Sequence, residues 1–117
     1  MCEITEKKVS EKLRRLGVPV SMFGFTYIKT SILLIAEDED YLHSITKRLY
    51  PTIAKQYNTT TSRAERNIRH AIEKMYLDGD INEIESLGAA SIRKGNMTNR
   101  EFLGALYESL KFDDEDE

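Results

Sequence analysis

An all-α fold is what this sequence predicts, and three observations predict it. Two prolines and six glycines in 117 residues leave few breaks in the chain. The apolar residues mostly recur at spacings of three and four, the period of a helix buried along one side. The one segment rich in β-branched and aromatic residues, 23–36, lacks the alternation of a half-buried strand. At 40% hydrophobic and 32% charged, the chain can enclose one modest core. The expectation is a single domain over residues 1–117, packed over about 5–110 and ending in an acidic tail at 111–117.

Composition also removes function classes. No apolar run approaches the roughly 18 to 20 residues of a membrane span, and the start lacks the apolar stretch of a secretory signal. A cytoplasmic protein without a membrane partner is therefore expected. Cys2 is the one cysteine, which excludes an intramolecular disulfide and a cysteine zinc cluster. With His43 and His70 as the two histidines and no paired ligand near either, no metal and no cofactor is expected. There is no nucleophile and base at a recognisable spacing and no glycine-rich phosphate loop, so an enzyme is not expected.

Taken in order, residues 5–16 predict an amphipathic helix with Val9, Leu13 and Leu16 on one stripe, stopped by Gly17 with Pro19 beyond. Residues 23–36 predict a buried helix. The acidic run 37–40 reads as a solvated connector. Residues 41–49 predict a short helix with Leu42, Ile45 and Leu49 inward. A further helix follows over 51–57, Pro51 being tolerated in a first turn where its missing N–H has no intrahelical partner to lose.

Asn58 tolerates the left-handed conformation of a tight turn. A longer helix then begins, with Thr59, Thr60, Thr61 and Ser62 as candidate N-caps and Ser62 with Glu65 at capping-box spacing. Ala64, Ile68, Ala71, Ile72 and Met75 fall on one stripe. At about 100° per residue, Ser62, Arg66, Arg69, His70 and Glu73 point the other way, with Arg63, Asn67 and Lys74 on a flank. A short helix, a tight turn and a longer helix with an exposed Arg-rich start is the layout of a helix-turn-helix, and the small Ala54 lets its two helices approach.

Charge supports that layout. Between Tyr41 and Met75 seven cations (Lys47, Arg48, Lys55, Arg63, Arg66, Arg69, Lys74) face two carboxylates, Glu65 and Glu73. The last ten residues carry six carboxylates against Lys111, which accounts for an overall charge of −3. Salt screens charges beyond roughly 10 Å, so a basic patch attracts phosphate even in an acidic chain.

The rows LGVPVSMFGFTYIKTSI (16–32), SITKRLYPTIAKQYNTTTSRAERNIRHAIE (44–73) and TNREFLGAL (98–106) resemble the C-terminal DNA-binding domain of the sporulation stage-zero response regulator. The likeness runs from about residue 11 to 110 and is most specific at SRAERNIRHAIE, which resembles that factor's recognition helix. It implies a six-helix, all-α domain whose recognition helix, here about 60–76, enters the major groove at a short promoter box of endospore-forming bacteria, often in tandem copies. By the family pattern Arg63, Glu65, Arg66 and Arg69 would meet base edges. Their chemistry agrees, because Arg donates a bidentate pair to guanine and Glu accepts from cytosine, each pair giving about 1–3 kcal/mol of discrimination. Thr60, Thr61, Ser62, His70 and Lys74 are better placed for phosphate or sugar, setting register without reading sequence.

Plainer roles compete at each position. Glu65 is also a capping-box partner, Arg69 and Glu73 are spaced to pair on a solvated face, His70 reads as a surface residue, and Tyr50 and Tyr57 as core. Asn67 stands where the family usually has a small apolar residue. Residues 1–10 hold no phosphoacceptor receiver domain, and the start favours a free-standing copy over an excised domain, one without phosphorylation-driven dimerisation.

The C-terminal third reads as support. Gly79 ends the recognition helix, and Asp80 with Glu83 caps a short helix whose Ile81, Ile84 and Leu87 face inward. Thr98 with Glu101 caps a last helix carrying Phe102, Leu103, Leu106 and Leu110 inward. Arg93 and Lys94 lie in the loop between and could reach phosphate. Two functions follow. The first is a sequence-specific DNA-binding transcription regulator, with double-stranded DNA as partner and RNA polymerase and a second copy on tandem sites as further candidates. The second is a protein-interaction module or antagonist of the parent regulator, its acidic tail mimicking or blocking DNA.

Overall fold

The computed structural model describes residues 3–88 and 97–112. Gly17 sets the first corner. Helix α1 (Glu6–Leu16) starts on Thr5, whose hydroxyl accepts from the Lys8 N–H, and stops where Gly17 turns left-handed at φ 96°. The Gly17 N–H then donates to the Arg14 carbonyl and the Val18 N–H to the Leu13 carbonyl, the paired bonds of a Schellman stop. Val9, Leu13 and Leu16 are fully buried, as their spacing predicts.

Helix α2 (Phe23–Glu37) is the central strut, with Phe25, Tyr27, Ile28, Ile32 and Ile35 in the core. The acidic run beyond it is exposed yet partnered. Arg48 binds Asp40 at 2.7 Å and Asp38 at 3.3 Å, and its guanidinium lies over the Tyr41 ring. The Tyr107 hydroxyl donates to Glu39, and this bond, with the nearby Lys111 ammonium, holds the Glu39 carboxyl below its usual range. The expected solvated connector is therefore a tie between the chain's middle and its last helix.

The expected helix over 41–49 is split. Helix α3 (Asp40–His43) ends at Ser44, and a π-helical turn (Ile45–Leu49) runs directly into helix α4 (Tyr50–Gln56). In the wide turn the Ser44 carbonyl accepts from both Arg48 and Leu49, at 2.8 and 3.2 Å. Pro51 explains the distortion. It has no N–H for the Lys47 carbonyl, and in an unbroken α-helix its ring would press on that oxygen, so the turn ahead of it opens. Ile45 and Leu49 are buried as expected, while Leu42 is half-buried.

Helix α5 (Thr61–Asp78) crosses α2, followed by α6 (Ile81–Glu85) and α7 (Asn99–Lys111). The described residues thus form seven α-helices and a π turn rather than six helices, and no strand. At the α2–α5 crossing a side chain on Gly24 would collide with the Asn67 carbonyl and the Ala71 methyl, so glycine is what permits the approach. Ile84 in α6 and Leu87 just beyond it are buried, but Ile81 is 55% exposed, against expectation. Three residues spaced three apart fan over about 120°, more than so short a helix can bury. Asp80 caps α6 through the Asn82 N–H instead of through the expected box with Glu83. The Thr98–Glu101 box does form in both directions, at 2.9 and 3.1 Å. Phe102, Leu103, Leu106 and Leu110 close the same buried cluster that α1, α2 and α5 share.

Candidate nucleic-acid interface

The candidate interface is built on the α4–α5 turn. Asn58 adopts φ 54°, and the Thr59 N–H donates back to the Ala54 carbonyl at 2.9 Å, which sets where the next helix can start. Thr60, extended at φ −107°, is then the N-cap, its hydroxyl accepting from the Arg63 N–H at 3.1 Å. With Thr60 as cap, the box position belongs to Arg63 and Glu65 lies too far along to reach back. The expected Ser62–Glu65 capping box is thus replaced.

On the underside of α5 Ala64, Ile68, Ala71, Ile72 and Met75 are all buried. Of the candidate contact residues, Thr60, Thr61, Ser62, Arg63, Arg66, Arg69, His70 and Lys74 are exposed and Glu65 is half-buried. The nine sequence-predicted contact residues therefore lie together along the cap and outer side of one helix.

Their ionic states differ. Arg69 binds Glu65 at 2.5 Å and Lys74 binds Asp78 at 2.7 Å. Arg63 and Arg66 make no ion pair with a described residue. The expected Arg69–Glu73 pair gives way to Arg69–Glu65, the orientation in which the carboxylate precedes the cation by four residues and which the helix dipole favours.

Two features carried no clear sequence signal. Asn99, 8% exposed, donates its side-chain amide to the Tyr50 hydroxyl at 2.9 Å and to the Glu65 carbonyl at 3.1 Å. Burial pushes the Tyr50 hydroxyl above its ordinary pKa. Tyr50 is core, as expected, but its polar end is also used. Tyr57, half-buried, shares a hydrogen bond with Thr30 at 2.5 Å and packs on Tyr27. Beside α5 an open groove of about 1510 Å³ runs between the π turn, α6 and the start of α7, with Glu65, Arg69 and Tyr76 along it. Arg93, Lys94 and the tail carboxylates at 113–117 lie outside the described residues. Among the described residues no cluster of His, Cys, Asp or Glu could hold a metal ion, and no helix is long and apolar enough to cross a membrane.

A short helix, a left-handed turn and a longer helix with cations along its outer side define a helix-turn-helix DNA-binding domain. The chain belongs to the family described as sporulation initiation factor Spo0A C terminal, whose model matches residues 9–110. That family is the DNA-binding effector part of a sporulation response regulator and acts in transcription regulation.

Proposed function

We propose that this chain is a sequence-specific transcription regulator, acting in the cytoplasm, with α5 lying in the major groove of its promoter box. The observation that carries the proposal is the pair Arg63 and Arg66, exposed and without an ion pair to any described residue, on the first turns of a helix whose underside is fully buried. Arg63 and Arg66 donate to guanine edges. Arg69 and Glu65 arrive as a unit, Arg69 as a guanine donor and Glu65 as an acceptor for cytosine, and their contact with each other must loosen for both to read bases. Thr60, Thr61, Ser62, His70 and Lys74 take phosphate or sugar.

Double-stranded DNA is the proposed partner, with a second copy on a tandem site and RNA polymerase as further ones. The interaction-module alternative drew on the acidic tail, and no described residue favours it. Fluorescence anisotropy of the chain on a duplex carrying the family's box and on a scrambled duplex, at two salt concentrations, tests the proposal. Binding tighter on the box by more than about tenfold, and weakened by salt, is the expected result. Equal binding to the two duplexes, from folded protein, would sink it.

A further inference from the structure

We infer that Asn99 is a positioning residue for DNA reading, acting through the buried bonds that tie the start of α7 to α4 and to the recognition helix. This rests on the proposed function. One side-chain amide has two hydrogens to give, and here they go to two different elements: the Tyr50 hydroxyl at the first residue of α4 and the Glu65 carbonyl in α5. Those two helices are the halves of the helix-turn-helix. The two helices pack against each other and bury Ile53, Ala54, Ala64 and Ile68, but apolar packing is not directional and tolerates small rolls and slides of one helix on the other. Hydrogen bonds are directional and fix the roll.

The tie reaches α5 at Glu65, between Arg63 and Arg66 and one turn before Arg69. Asn99 itself is held at the start of α7 by the Thr98–Glu101 box on either side of it. A shift of the tie therefore moves every proposed base-reading side chain together. Nonspecific phosphate attraction depends on charge and tolerates such a shift, whereas bidentate base contacts do not.

The experiment separates positioning from stability by comparing Asn99→Leu, Tyr50→Phe and the double variant in the full chain. Asn99→Leu leaves the buried Tyr50 hydroxyl without its partner and lowers the melting temperature. Replacing both groups with apolar ones of similar shape removes that orphan and recovers most of the loss. Readouts are thermal melting and anisotropy on box and scrambled duplexes. The box-to-scrambled preference is expected to fall by about three- to tenfold in Asn99→Leu and to stay low in the double variant although its melting temperature returns. Preference that recovers together with the melting temperature, or that never falls, overturns the positioning role. Should Asn99→Leu fail to fold, the double variant and Tyr50→Phe alone decide it, by a lowered preference at near-normal stability or by an unchanged one. Wild-type protein without any box preference would overturn the proposed function itself, a result distinct from either of these.

Discussion

Along α5 the cations divide into two sets. Arg63 and Arg66, on the first turns, have no ionic partner among the described residues, while Arg69 is bound to Glu65 and Lys74 to Asp78. Arg48, the other arginine of the basic segment, is held by Asp38 and Asp40. Formal charge counts all of these equally, but phosphate does not. A paired cation must first give up its carboxylate, and in return for a phosphate it gains only the difference. On the proposed reading the start of α5 is thus the stronger anchor, and the later part contributes only as its ion pairs loosen.

The largest effect expected is loss of the platform on which both sets stand. Ile68 is fully buried beneath the middle of α5. Ile68→Ala should cost about 2–5 kcal/mol of folding stability and weaken binding by free and paired cations alike. A denaturant titration measures the first and anisotropy the second. An effect on stability below about 0.5 kcal/mol, the range of ordinary surface changes, would mean that α5 is not seated as described.

The next effect sharpens the contrast itself. Arg66→Ala should weaken binding to the box by about 1–3 kcal/mol, with a much smaller change on scrambled duplex. Equal losses on both duplexes would remove Arg66 as a base reader. Arg69→Ala should cost less, because the wild-type residue already spends an interaction on Glu65. Glu65→Gln is the informative partner: it frees Arg69, so affinity for scrambled DNA should rise while discrimination at the contacted base falls.

How much of this was legible in the sequence follows from which interactions are periodic. The buried stripe from Ala64 to Met75 was readable because a 3.6-residue repeat has one solution, and all five residues are buried. Gly17 and Asn58 were readable because few residues take positive φ. The cap was not, since Thr59, Thr60, Thr61 and Ser62 are all competent, and the choice rests on the Thr59 bond back to Ala54. The partner of Arg69 was ambiguous because carboxylates stand four residues to either side. The π turn was hidden because Pro51 acts upstream of itself. Asn99 and Tyr50 are 49 residues apart, and no local pattern joins them.

The choice of cap gives a smaller and cleaner test. Thr60→Ala should cost about 1 kcal/mol of stability, because it strands the Arg63 N–H at the helix start. Ser62→Ala should cost almost nothing by the same measure, thermal or urea unfolding followed by circular dichroism. If the two values came out reversed, the helix would start two residues later, and Arg63 and Arg66 would no longer present the same side to DNA.

The smallest effect expected is the most specific to the division between free and paired cations. An exposed ion pair four residues apart on a helix contributes only about 0.3–0.5 kcal/mol, so Lys74→Ala should barely change stability. Its effect on binding is read from salt dependence. Each phosphate neutralised by an unencumbered cation contributes about 0.9 to the slope of log affinity against log salt. Arg63, with no ion pair to a described residue, brings its full charge among the phosphates even while its guanidinium donates to a base, so Arg63→Ala should remove up to that amount. Lys74→Ala should remove clearly less, since Asp78, 2.7 Å away, compensates part of the Lys74 charge and leaves less of it to neutralise a phosphate. Asp78→Asn should then raise the slope in wild-type background and leave it unchanged when Lys74 is already alanine. Equal slopes for Arg63→Ala and Lys74→Ala would show that the Lys74–Asp78 pair dissolves at no cost on binding, and that the two ends of α5 are electrostatically equivalent once DNA is present.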